Sequence, residues 1–234
     1  MSQVTVIQHT SAEYLGLMED HLEGRLIRFN YCRPFVEDVY VPHQDTIGDG
    51  LILLGGGPWG SAGTRDVPTL QKEIELAHCC LMLGLPIIGI GLGAQILAIA
   101  GGGSSKPHAL SSSVGTAHRV KDGALAGYLP ENYPLVTYMR DTLVLPNYAE
   151  VLAEDDNGDP ALFQMGSNCF GFTGHPGIKP AMIEDLIMEF EEAPDNCADT
   201  MSSIRSHVRQ IEDSLIPIMT GLILLTGLMN KTKP

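Results

Sequence analysis

The chain has 234 residues, a formal net charge of −14, 44% hydrophobic residues and 18% charged ones. Such a chain is long enough to bury a full sheet under helices on both faces, and its composition is globular rather than disordered. An acidic surface with no basic patch repels phosphate backbones, which excludes nucleic acid as the expected partner.

Residues 4–8 read as a first buried strand. Residues 12–23 carry helical spacing through Tyr14, Leu15, Met18 and Leu22, and residues 26–31 can form a second strand. The continuous apolar run 51–54, closed by Gly55-Gly56-Gly57-Pro58, has the look of a parallel strand covered on both faces. The pattern predicts a long amphipathic helix over 68–83, with Pro68 tolerated in the first turn and Gly84 closing it. A strand over 86–90 then meets a sharp turn at 91–93, and a helix follows over 94–100. This alternation argues for a parallel sheet with right-handed crossovers.

From residue 111 onward the signals shorten. Strands are expected at 114–120, 135–138, 150–153, 161–164 and 169–173, partly antiparallel, then a helix at 181–190. Residues 193–199 read as a linker, and 201–229 as a helical tail broken or kinked near Pro217. The stretch 215–229 is strongly apolar but too short to span a bilayer, so no membrane segment is expected. It must be covered, either by its own domain or by a second copy, which makes it the partner signal. Residues 1–4 show no basic n-region, so no signal peptide is expected. Cys32, Cys79, Cys80, Cys169 and Cys197 are odd in number and form no CxxC. That favours a reducing, cytoplasmic setting with neither disulfides nor a zinc site.

The informative site is the junction at residues 89–95. A tight strand-turn-helix junction holds one residue in a strained conformation beside backbone N–H groups and a helix N-terminus. Its GxGxG spacing is not that of a dinucleotide site, so no cofactor is expected. Anion binding at the turn, or a plain βα turn, stays open on these residues alone.

The segment Pro86-Ile87-Ile88-Gly89-Ile90-Gly91-Leu92-Gly93-Ala94-Gln95-Ile96-Leu97-Ala98 resembles the nucleophile elbow of class I glutamine amidotransferases, Pro-x-x-Gly-x-Cys-x-Gly-x-Gln-x-Leu-Ala. Every fixed position matches except Gly91, which stands where the family has its cysteine. Gly55-Gly56-Gly57-Pro58 resembles the family's oxyanion loop, and Phe172-Thr173-Gly174-His175-Pro176-Gly177 its Phe-x-x-His-Pro-Glu segment, with Gly177 in place of the glutamate. Met139 stands where a histidine often precedes Asp141 by two places, and Ser113-Val114-Gly115 where family members line the glutamine pocket with backbone. The resemblance runs over roughly residues 4–190, in order.

The resemblance implies a three-layer, flavodoxin-like α/β fold with a mostly parallel central sheet over residues 1–192. A helical extension follows at 193–234. Glutamine hydrolysis in this family needs a thiolate, which Gly91 cannot supply, and a histidine oriented by an acid, which Gly177 cannot supply. The implied protein is a non-glutaminase whose Gly56, Gly57, Leu92, Gln95, Ser113, Val114 and Gly115 still form a cradle for a small amide or carboxylate. Its implied partner is a synthetase or ligase, or a second copy. Two alternatives stay open: changed, non-covalent chemistry using His175 as acid or base, and a glutaminase whose cysteine was replaced. Cys169, Ser61 and His9 are weighed as further candidates, with a core, an unactivated and a surface or capping role respectively, and Trp59 as a wall of the cradle, a cover for a partner contact or a loop anchor.

Overall fold

The computed structural model describes residues 1–35 and 40–229. Its elements in chain order are β1 (Gln3–Ile7), α1 (Met18–Glu23), β2 (Arg28–Cys32), β3 (Gly50–Leu53), α2 (Leu70–Met82), β4 (Ile87–Ile90), α3 (Leu92–Ala100), β5 (Ser104–Lys106), β6 (Ser111–Arg119), β7 (Asn132–Met139), β8 (Thr142–Val144), β9 (Glu150–Glu154), β10 (Pro160–Met165), β11 (Cys169–Phe172), α4 (Pro180–Glu189) and α5 (Cys197–Thr226). Nine strands form one sheet in the order β2-β1-β3-β4-β11-β10-β9-β6-β7. The half from β2 to β11 is parallel, and the half from β11 to β7 is antiparallel.

The period of two in a strand sorts each side chain to one face. Leu51 and Leu53 join the core under α2 and α3, while Ile52 and Leu54 join the core under α1 and α5. The result is three layers, with both faces of the parallel half covered. The C-terminal ends of β1, β3, β4 and β11 meet at one edge, and the loops leaving them build the candidate site.

Three expectations need correction. The helix expected over 12–23 begins only at Met18. Gly16 turns the chain at φ +62°, and Leu17 N–H donates to the Gly177 carbonyl at 2.8 Å, so tertiary backbone pairing replaces a helical turn. The linker expected at 193–199 is shorter, because α5 starts at Cys197. One helical span also runs through Pro217. Leu215, Ile218, Met219, Leu222, Ile223 and Leu228 are all buried in the chain's own core. At roughly 1.5–3 kcal/mol per buried side chain, they outweigh the ~3 kcal/mol penalty of an interior proline. The apolar stretch is thus covered mainly by its own domain, leaving Ile216, Leu224 and Met229 exposed. The short pair β5–β8 carried no sequence signal strong enough to read. Among the described residues, no helix is long and apolar enough to cross a membrane.

Candidate functional site

At the end of β4, Gly91 takes φ 56° and ψ −116°, and α3 begins at Leu92. L residues rarely adopt that conformation, so glycine holds it without strain. The elbow is pinned from both sides. Gly91 N–H donates to the Phe172 carbonyl at 2.8 Å, and Gly93 N–H donates to the Leu54 carbonyl at 3.1 Å. A Cβ at 91 would meet only the Gly55 Cα, at 3.4 Å, an ordinary contact. The turn therefore keeps the shape and the room of a nucleophile elbow and lacks the nucleophile.

The Gly55–Gly57 loop approaches from β3. Its Gly57 N–H donates to Oε2 of Glu13, a buried carboxylate from the loop after β1. A Cβ at Gly55 would overlap Glu13 Oε1, and one at Gly56 would overlap the Leu92 side chain. Four of the residues expected in the cradle, Gly56, Gly57, Leu92 and Gln95, are thus gathered at this edge, and a fifth group, Glu13, lies among them. Burial pushes the Glu13 carboxyl up to about 7, against the hydrogen bond from Gly57 and the charge of His9.

His9 is not a capping residue. Its side chain and that of Glu73 are fully buried, with Nε2 and Oε2 2.7 Å apart, while Nδ1 donates to the Gly55 carbonyl at 3.0 Å. Both ring nitrogens face acceptors, so the ring is an imidazolium. Burial opposes that charge, but the Glu73 carboxylate prevails and holds the His9 pKa above its ordinary value. Glu73, opposed likewise by burial, is held below its ordinary value by His9. Glu73 was legible in principle. It sits three, four and seven residues before Leu76, Ala77 and Cys80, on the apolar face of α2, where a carboxylate needs a buried partner.

His175 is also buried, and both of its nitrogens are used by backbone. Nε2–H donates to the Tyr14 carbonyl at 2.8 Å, and Gly177 N–H donates to Nδ1 at 3.1 Å. These partners fix a neutral tautomer. Burial drives its pKa down to about 4, although the Tyr14 hydrogen bond acts to raise it. At the acid position, a Cβ on Gly177 would press Met18 Cγ at 2.9 Å and Met18 N at 3.0 Å. The first residue of α1 fills the space that an acid would need.

Gln95 is likewise engaged by the protein. Its Oε1 accepts from Ser61 Oγ at 2.5 Å, and its Nε2 donates to the Arg140 and Asp141 carbonyls at 2.7 and 3.2 Å. Asp141 in turn accepts from Ser61 N, Ala62 N and His108 N. This network ties three loops together, which explains why Ser61 needs no activating partner. Arg140 Nε donates to the Pro58 carbonyl at 2.8 Å, and Arg140 and Arg65 both pair with Glu192. The guanidinium of Arg65 also lies 5.0 Å over the ring of Trp59, which is therefore held on the rim of the loop.

Ser113, Val114 and Gly115 lie in β6, opposite Thr137, Val136 and Leu135. Ser113 bonds Thr137 at 2.7 Å, and the atom closest to a Cβ at Gly115 is Asp156 Oδ2, at 3.5 Å. Ser113 faces a polar groove of about 520 Å³ shared with Lys106, His108, Thr137 and Asp155, and the groove lining does not include Gly91. Met139 lines the same groove. Cys169 starts β11, in register with Ile87, at the opposite end of the sheet from Gly91, and burial pushes its thiol up to about 11. It has neither the place nor the acidity of a substitute nucleophile. Among the described residues, no group of three His, Cys, Asp or Glu could hold a metal ion.

The profile of the family described as Glutamine amidotransferase class-I matches residues 26–188. The chain is 30% identical over 169 residues to a GMP synthase [glutamine-hydrolyzing] from Aeropyrum pernix, covering 68% of this chain and 31% of that protein. It is 30% identical over 147 residues to a carbamoyl phosphate synthase small chain from Vibrio vulnificus, covering 60% of this chain and 37% of that one. A crystal structure of a glutamine amido transferase from Methylobacillus Flagellatus superposes with a TM-score of 0.76 at 19% identity, covering 96% of this chain and 95% of the other. The chain thus spans about a third of the length of these two curated relatives and nearly the whole of the structural neighbour.

Proposed function

The chain belongs to the class I glutamine amidotransferase family, and we propose that within it this protein is a non-glutaminase that serves as a binding or regulatory subunit. The carrying observation is the elbow: a glycine occupies the strained nucleophile position, so no thioester can form there. The histidine that would act as base has both nitrogens engaged by backbone, which argues against changed acid–base chemistry as well. Three departures, at Gly91, Gly177 and Met139, favour natural divergence over one replaced cysteine.

One relative is named as the small chain of a synthase, which supports a synthetase-type enzyme as the partner here. The test is ammonia release from glutamine, measured for the wild type and for Gly91→Cys. Neither should release ammonia above background. Turnover by Gly91→Cys would sink the reading, because it would show that only the nucleophile was missing.

A further inference from the structure

The segment from Thr10 to Leu17 crosses the candidate site as a strap, and its anchors are specific. Glu189 accepts from Ser11 N, Ser11 Oγ and Ala12 N at 3.2, 2.8 and 3.1 Å. The Tyr31 hydroxyl accepts from Leu15 N at 3.0 Å. His175 donates to the Tyr14 carbonyl, and the Gly177 carbonyl accepts from Leu17 N. The two positions that would carry a base and its acid here grip the strap's backbone instead.

The strap delivers Glu13. Thr10 Oγ1 accepts from Glu13 N at 3.0 Å and turns the side chain inward, and the carboxylate lands on Gly57 N–H against the bare Cα of Gly55. We infer that the Gly55–Gly57 loop is a carboxylate-binding site already filled by the chain's own Glu13, so that a free carboxylate enters only when Glu13 is absent. The inference rests on the reading that the cradle is no longer catalytic, and it names the ligand chemistry the cradle accepts. Three features fit together. Gly55 leaves room for the carboxylate, Gly177 leaves room for the strap, and the imidazolium of His9 behind Gly55 favours a negative occupant. A buried carboxyl with this little compensation is held against its own desolvation, as its raised pKa records.

The test removes the tethered carboxylate and offers a free one. Thermal unfolding is followed for the wild type, Glu13→Gln and Glu13→Ala, with sodium formate or acetate added against sodium chloride at equal ionic strength. Glu13→Ala should gain about 2–4 °C, saturably, from the carboxylate salts alone. The wild type and Glu13→Gln, whose cradles stay filled, should not respond. No carboxylate-specific gain in Glu13→Ala, or an equal gain in the wild type, overturns the inference. Should Glu13→Ala fail to fold, Glu189→Ala frees the strap and leaves the cradle intact. Amide exchange over residues 10–17 should then quicken and be slowed no further by acetate, since Glu13 is still present. Unchanged exchange there overturns the inference too. Ammonia release by Gly91→Cys would instead sink the non-glutaminase reading and leave the carboxylate result standing.

Discussion

Substituting His175 tests whether this histidine is a structural clamp. In the fold its pKa lies at about 4, against an ordinary value of 6.5, because the ring is buried and neutral. A group whose folded pKa is depressed binds fewer protons folded than unfolded across that interval. Its contribution is therefore fully present above 6.5 and is lost as the pH falls toward 4. The integrated loss is about 3 kcal/mol, roughly 1.4 kcal/mol for each tenfold change in proton affinity. Glutamine at 175 has no proton to gain, so His175→Gln should lack this loss. Its own defect, from replacing two buried backbone hydrogen bonds, should be about 1–3 kcal/mol near neutral pH. Urea unfolding, followed by the fluorescence of the single tryptophan, Trp59, measures both proteins at stepped pH. The wild type's advantage should shrink by about 3 kcal/mol between the two pKa values and close or reverse near the lower one. Every other titrating group is common to both proteins and cancels in the difference. A difference that does not change with pH would refute the buried neutral ring.

Glu13 should show the opposite sign. Its folded pKa of about 7 lies above the ordinary 4.5, so its contribution is present at low pH and lost as pH rises through 7; Glu13→Gln should gain on the wild type over that rise in the same urea titration. Gly91→Ala should destabilise by about 1–3 kcal/mol, because its φ of 56° strains any L residue while the Cβ itself meets no clash. A neutral result would mean that the turn relaxes to another conformation. Glu73→Gln leaves the His9 imidazolium buried without its counter-charge and should cost roughly 3–5 kcal/mol in chemical denaturation. Gln95→Leu breaks the bonds to Ser61, Arg140 and Asp141 and should raise amide exchange in the loops at 60–62 and 140–141; unchanged exchange would show the network to be dispensable.

Much of this protein was readable from composition and local pattern. Apolar runs closed by glycines located β3 and β4, since a strand covered on both faces must be apolar throughout. The elbow at Gly91 and the loop at Gly55–Gly57 were visible as motifs because tight turns and close backbone approach restrict residue choice locally. The absence of a thiol at 91 and an acid at 177 was plain from the residues alone.

What tertiary structure decided was the company these residues keep. Helical spacing over 12–23 was real as a pattern, yet Leu17 pairs backbone to backbone with Gly177 beside the turn at Gly16, and the first half stays unwound. Pro217 signalled a break or a kink, and burial of the residues around it kept the helix unbroken. Glu13 and Glu73 lie 60 positions apart in the chain, and His9 belongs with both, but no local period links them. Their proximity follows from β1 and β3 ending, and α2 beginning, at one edge of the sheet. A sequence specifies what each residue can do within a turn or two. Which desolvated charge meets which partner is settled only when distant elements pack, because the cost of burying a charge alone is large enough to select the arrangement.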